Sequence, residues 1–90
     1  MVETTVKVLN KAGIHARPSQ QIVRVAERFY SEIFLVRDSD SFKANAKSIF
    51  NVMSLAAECG SELALLAEGS DEEEAVEAIA ELFETKFKEE

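Results

Sequence analysis

The sequence predicts an α+β fold, a two-layer sandwich in a single domain spanning residues 1–90. Three observations carry this. Ninety residues with 47% apolar content suffice for one modest core and are too apolar for disorder. Apolar spacing switches between the strand and helix periods in the order strand, helix, strand, strand, short helix, strand, helix. So few strands can be covered by helices on one side only, and no repeat, linker or low-complexity segment interrupts the series.

Val2, Thr4, Val6 and Val8 alternate with Glu3, Thr5, Lys7 and Leu9, which reads as a half-buried strand from Val2 to Leu9. Residues 10–13 turn the chain. The first helix runs from Pro18 to Tyr30, with Ile22, Ala26 and Phe29 as an inward stripe and Val23 and Tyr30 beside it. Glu32 to Arg37 is a β-branched and aromatic run, hence the second strand. Asp38-Ser39-Asp40 is a turn, and Ser41 to Ala44 a short third strand pairing back as a hairpin. The short helix lies within Ala46–Leu55, and Glu62 to Glu68, between Gly60 and Gly69, is the fourth strand. In the last helix Ser70 and Glu73 form a capping box, and Asp71 to Glu74 favour the positive helix end. Ala75, Val76, Ile79, Leu82 and Phe83 form its buried stripe, and Lys86 and Lys88 suit its far end.

Charge narrows the function. Seventeen Asp and Glu against ten Lys and Arg give a net −7, which argues against general nucleic-acid binding. The acids crowd the last third, up to Glu89 and Glu90, where helix-start chemistry and a solvated face account for them. Arg17, Arg24 and Arg28, seven and four residues apart, fall within roughly 40° on a helical wheel. Such a basic ridge on an acidic protein either docks acidic partner surfaces or merely solubilises an outer face. No apolar run reaches membrane-spanning length and no signal-peptide pattern opens the chain. The single cysteine, Cys59, allows no internal disulfide, fits a cytoplasmic protein, and reads as a small turn residue before Gly60. One histidine, one cysteine and no tight carboxylate cluster make no metal site, and no catalytic triad can be assembled.

The stretch with chemistry is Gly13-Ile14-His15-Ala16-Arg17-Pro18-Ser19, which holds the only histidine and proline. Strand periodicity gives way to helix periodicity here, so an imidazole and a guanidinium stand at a helix mouth. Pro18 suits a first helical turn because its missing N–H has no partner to lose there. No Ser, Thr, Asp or Asn occupies positions 15–17 to cap the amides. Unfilled amides and the positive helix end make an anion site, with phosphate a natural occupant. From the residues alone, His15 reads equally as an ordinary turn residue.

A second stretch, Ala46-Lys47-Ser48-Ile49-Phe50-Asn51-Val52-Met53-Ser54-Leu55, places Val52 and Leu55 on one side of the short helix and Ile49, Phe50 and Met53 on the other. With Val52 and Leu55 against the sheet, Ile49, Phe50 and Met53 form an exposed apolar patch, usually an interaction surface; burial of both sides under a loop is the alternative. Ser48 is the helix cap. It is open whether it is only a cap or also a phosphorylation site, where a phosphate at a helix start would alter the docking face rather than the fold.

GIHARPS followed some thirty residues later by AKSIFNVMSL, in a chain of this length, resembles the histidine-containing phosphocarrier (HPr) family of the bacterial phosphoenolpyruvate-dependent sugar phosphotransferase system. The likeness covers essentially the whole chain. It implies an open-faced sandwich, a four-stranded antiparallel sheet with three helices on one face (β-α-β-β-α-β-α). It implies a cytoplasmic monomer that needs no cofactor and is not itself a stand-alone catalyst. The phosphoryl group would come from phosphorylated enzyme I onto Nδ1 of His15 and pass to enzyme II A-domains. Arg17 and the backbone at Ala16 and Arg17 would neutralise the phosphate. Gln20, Arg24, Arg28, Ile49, Phe50 and Met53 would dock partners, and HPr kinase/phosphorylase and a catabolite-control transcription factor join the partners if Ser48 is regulated. The alternative function is a mainly regulatory phosphoprotein or nitrogen-type relay. Imidazole suits the carrier role because, with an ordinary pKa of about 6.5, it is a neutral nucleophile at pH 7 and then a good leaving group. Four positions depart from the family's pattern. Ala12 replaces the usual Ser or Asn, Ser19 the usual Ala, Ala56 the usual Gly, and Asn51 a common Gly or Lys.

Overall fold

The structure, a computed structural model, describes residues 1–88, so Glu89 and Glu90 of the acidic C-terminal run lie outside the described residues. The elements follow the order expected: β1 (Val2–Lys7), α1 (Ala16–Ala26), β2 (Glu32–Arg37), β3 (Lys43–Asn45), α2 (Ile49–Ser54), β4 (Glu62–Glu68) and α3 (Glu72–Glu84). The sheet is antiparallel throughout, in the order β1-β4-β2-β3. Val2 faces Ala67 and Lys7 faces Glu62 across β1 and β4; Ile33 faces Ala67 and Phe34 faces Asn45 on either side of β2.

Period-two patterning puts Val6, Ile33, Leu35, Ala44, Leu63, Leu65 and Ala67 on the helix-covered face, all buried. Among the described residues, the opposite face carries no helix. Phe34, Val36, Ala64 and Leu66 are half-buried there, and the Lys43 ammonium sits 4.2 Å from the Phe34 ring centroid. This covers part of the ring while the charge stays in water.

Four boundaries or placements differ from expectation. β1 ends at Lys7 rather than Leu9, yet pairing continues through Val8 N–H to the Ser61 carbonyl (2.9 Å) and Gly60 N–H to the Val8 carbonyl (2.7 Å). β3 starts at Lys43 rather than Ser41, because Ser41 takes a left-handed φ of 61°. α1 opens at Ala16 and stops at Ala26, and Tyr30 is 90% exposed instead of flanking the inward stripe. Beyond the helix, the Tyr30 and Ser31 amides donate to the Asp71 carboxylate (2.9 Å each), which draws the chain out of helical geometry.

The capping box expected from Ser70 and Glu73 is absent. Asp71 takes the N-cap position of α3 without capping it, its carboxylate being engaged by Tyr30 and Ser31; Glu72 reaches back instead to the Gly69 amide (3.1 Å). Ala75, Val76, Ile79 and Phe83 are buried as expected, while Leu82 is half-buried. Lys86 and Lys88 fall beyond α3, in a turn of successive left-handed residues, Lys86 (φ 55°), Phe87 (55°) and Lys88 (59°). Left-handed geometry costs about 1–2 kcal/mol per residue. Burial of Phe87 offsets part of it, at about 1.5–3 kcal/mol for a full side chain. Its ring meets Phe83 edge-on at 5.0 Å, and its carbonyl accepts from Gln21 Nε2 of α1 at 3.3 Å.

Candidate phosphoryl-acceptor site

The chain leaves β1 and makes a tight loop whose geometry is set by Gly13, at φ 73°. A Cβ at this position would lie 2.5 Å from the Ala57 carbonyl oxygen. That oxygen accepts the Ile14 N–H at 2.9 Å, so the loop is seated against the segment that follows α2. Asn10, fully buried, donates from Nδ2 to the Gly13 carbonyl at 2.7 Å.

His15 emerges from this loop as the N-cap residue of α1, in extended geometry (φ −101°, ψ −163°), with its side chain exposed. Among the described residues no side chain caps the helix, and no acid stands in its first turn. Pro18, in that turn, is buried and has no N–H to satisfy. Ala16 and Arg17 stand in the first turn, at the positive end of the helix, which carries about half an elementary charge. Arg17 is exposed beside His15 in sequence. The first turn thus carries a guanidinium and no carboxylate, the electrostatics that an anion at a helix start favours.

The basic ridge divides. Arg17, Gln20, Gln21 and Arg24 line an open groove of about 330 Å³ with Phe87 and Lys88. Arg28 belongs to a neighbouring groove with Val25, Glu81, Leu82 and Lys88. Gln20, Arg24 and Arg28 are all exposed. Lys88 is an addition that helix periodicity could not supply, because a left-handed turn brings it back toward α1.

α2 packs against α1. Ser48 is its N-cap, accepting the Asn51 N–H at 3.4 Å. Asn51 in turn accepts the Asn45 amide at 3.3 Å, which gives this unusual residue a structural role. Val52 and Leu55 are buried and Phe50 (80%) and Met53 (41%) exposed, as the helical angles require. Ile49 is the exception, half-buried rather than open. Arg37 fixes the far end of the helix by donating to the Leu55 carbonyl at 2.7 Å while gripping Asp40 at 2.8 Å. The hydrogen bonds from Arg37, and then from the Phe42 amide, hold the Asp40 carboxyl down at about 2. Ala56, just past α2, is held at φ 49°, the left-handed region that explains why glycine is usual there.

Ser19 also gains a role that its sequence position did not advertise. It is buried, and its Oγ–H and N–H both donate to the His15 carbonyl, at 2.8 and 3.0 Å.

Comparison with known proteins identifies the family and matches the fold. Residues 2–85 match the family model described as the PTS HPr component phosphorylation site. The chain is 58% identical over all 90 residues to the phosphocarrier protein HPr of Treponema pallidum, covering 100% of both. The solved HPr-C-His of Thermoanaerobacter tengcongensis superposes with a TM-score of 0.92 at 47% identity, covering 100% of this chain and 99% of that one. Crh of Bacillus subtilis, described as a catabolite repression protein in a swapped dimer, gives a TM-score of 0.74 at 44% identity, over 96% of this chain and 97% of that one. With its open-faced antiparallel sheet and these matches along its whole length, the chain belongs to the HPr family of phosphotransferase-system phosphocarriers.

Proposed function

We propose that this phosphocarrier takes a phosphoryl group from phosphorylated enzyme I onto Nδ1 of His15 and hands it to enzyme II A-domains for sugar uptake. In the step proposed, the Nδ1 lone pair attacks phosphorus while the ring keeps its proton on Nε2. A nitrogen–phosphorus bond forms, and the donor's bond to phosphorus breaks, its electron pair staying with the donor. Transfer to the acceptor reverses this at His15. Arg17 and the Ala16 and Arg17 amides balance charge on the transferring oxygens, the main task in phosphoryl transfer. The chain supplies half of a site that its partners complete, acting as a cytoplasmic monomer and not as a stand-alone catalyst.

The observation that carries this reading is the exposed histidine at a helix mouth with no side-chain cap and no acid in its first turn. Gln20, Arg24, Arg28, Phe50 and Met53, with the edge of Ile49, form the face that partners meet. The test charges the protein with phosphoenolpyruvate and enzyme I and measures mass and acid stability. One acid-labile phosphate on His15 supports the carrier; failure to acquire it overturns the reading.

A second reading, regulation through Ser48, is favoured by that serine's place at the head of the helix bearing Phe50 and Met53. An ATP-dependent HPr kinase/phosphorylase would modify it, and a catabolite-control transcription factor would read the modified form. A phosphate there adds charge to the docking face without breaking the helix. Ser48→Asp is expected to slow transfer from enzyme I to His15 with little change in thermal midpoint, and an unchanged rate counts against the switch.

A further inference from the structure

Three buried polar residues stand out among the described residues: Asn10, Ser19 and Ser31. Ser31 serves the junction with Asp71. The other two hold the backbone on either side of one residue, His15: Asn10 through the Gly13 carbonyl, Ser19 through the His15 carbonyl itself. On its amino side the His15 N–H donates to the Gly13 carbonyl at 3.2 Å, and Asn10 Nδ2 donates to that same oxygen at 2.7 Å. On its carboxyl side the His15 carbonyl accepts both the amide and the hydroxyl of Ser19.

From this geometry we infer that Asn10 and Ser19 form a two-sided clamp that positions the phosphoryl acceptor. The inference rests on His15 being that acceptor. A buried donor is costly to bring inside a protein, so it stays where its acceptor is fixed. Asn10 pins the Gly13 carbonyl, the anchor for the His15 amide. Ser19 pins the His15 carbonyl from one helical turn on. With both peptide groups flanking His15 held, its Cα–Cβ direction is set before a partner arrives. An in-line transfer depends on that aim, and small misplacement of a reacting group is penalised heavily. Docking residues are elsewhere, so the clamp governs turnover rather than partner affinity.

The test compares wild type, Asn10→Ala, Ser19→Ala and Ser19→Thr as acceptors from enzyme I and phosphoenolpyruvate, separating kcat from KM, with thermal midpoints measured alongside. Ser19→Ala is the decisive variant. Alanine is the better helix former, and residue 19 keeps its amide bond to the His15 carbonyl, so stability is expected to hold or rise. A merely structural role therefore predicts no kinetic loss. The clamp predicts kcat reduced about threefold in Ser19→Ala and about tenfold in Asn10→Ala, with KM for enzyme I unchanged. Ser19→Thr, whose hydroxyl can reach the same carbonyl, restores the rate. Should Asn10→Ala fail to fold, the two Ser19 variants still decide the matter. If wild type is charged and folded variants match its kcat, or lose only affinity, the clamp is overturned. If wild type itself takes no phosphate, the acceptor reading falls first.

Discussion

α1 and α3 both begin without a side-chain cap, and they handle the exposed positive end in opposite ways. α3 fills its first turn with Glu72, Glu73 and Glu74, and Glu72 reaches back to the Gly69 amide. Its field is neutralised from within, and the left-handed residue before it is a glycine, Gly69. α1 opens Ala-Arg-Pro, with no acid and an added cation, and beside its loop an alanine, Ala56, bears a left-handed conformation. One helix start is finished for stability. The other is left electrostatically incomplete, which is what a site for a passing anion requires.

Removing the nucleophile breaks the contrast most completely. His15→Ala is expected to abolish phosphate uptake while circular dichroism and the thermal midpoint stay near wild type; continued uptake would place the acceptor elsewhere. Making α1 resemble α3 comes next. Ala16→Glu puts a carboxylate into the empty first turn, which should stabilise the helix by about 0.3–1 kcal/mol while slowing charging about tenfold. A faster or unchanged rate would mean the open turn is incidental. Relieving the strain next to the site is a smaller change: Ala56→Gly is expected to raise stability by about 1 kcal/mol in urea unfolding. No gain would show that the left-handed turn there carries no penalty.

The smallest effect concerns the α3 side. The Ser31 hydroxyl first, then the Tyr30 amide, holds the Asp71 carboxyl below its ordinary 3.8. A carboxyl depressed in the folded state stabilises above its unfolded value and loses that contribution as pH falls through its folded one. Asp71→Asn should thus lower the thermal midpoint near neutrality, and the gap to wild type should close as pH drops below 3.8. A gap independent of pH would assign the effect to packing.

The sequence made the strands and the helix-mouth motif legible because both rest on local rules. β2 and β4 carry unbroken alternation with buried Ile33, Leu35, Leu63 and Leu65, and their limits match residue for residue. Ser48 was readable as a cap, and Arg17, Phe50 and Met53 as outward residues, from spacing alone, whereas the residues alone left His15 equally open as an ordinary turn residue. What was hidden depends on contacts distant in the chain. Tyr30 continues a helical stripe in sequence, but Asp71, 41 residues away, captures its amide. Ser70 in turn is left out of the capping box that the local pattern favours, because Asp71 takes the N-cap position. Asn10 sits in a loop and Ser19 in a helix, and neither periodicity reveals that both bond around one histidine. Lys88 joins the basic groove only because three left-handed residues fold the chain back.

The Gly13–Ala57 seat has a consequence for how partners can diverge. It locks the histidine loop to the stretch leaving α2, leaving no room for even one carbon between them. The separation between the His15 loop and the exposed Phe50 and Met53 of α2 thus behaves as a fixed gauge. Under the proposed carrier role, enzyme I and the A-domains, whatever their own folds, would each have to present a reactive group at the same offset from a Phe50-sized hollow. Selection can adjust the chemistry at either end of that gauge through surface residues. It cannot lengthen or shorten the gauge without rebuilding both ends together, so under the proposed carrier role unrelated partners would be driven toward one common footprint.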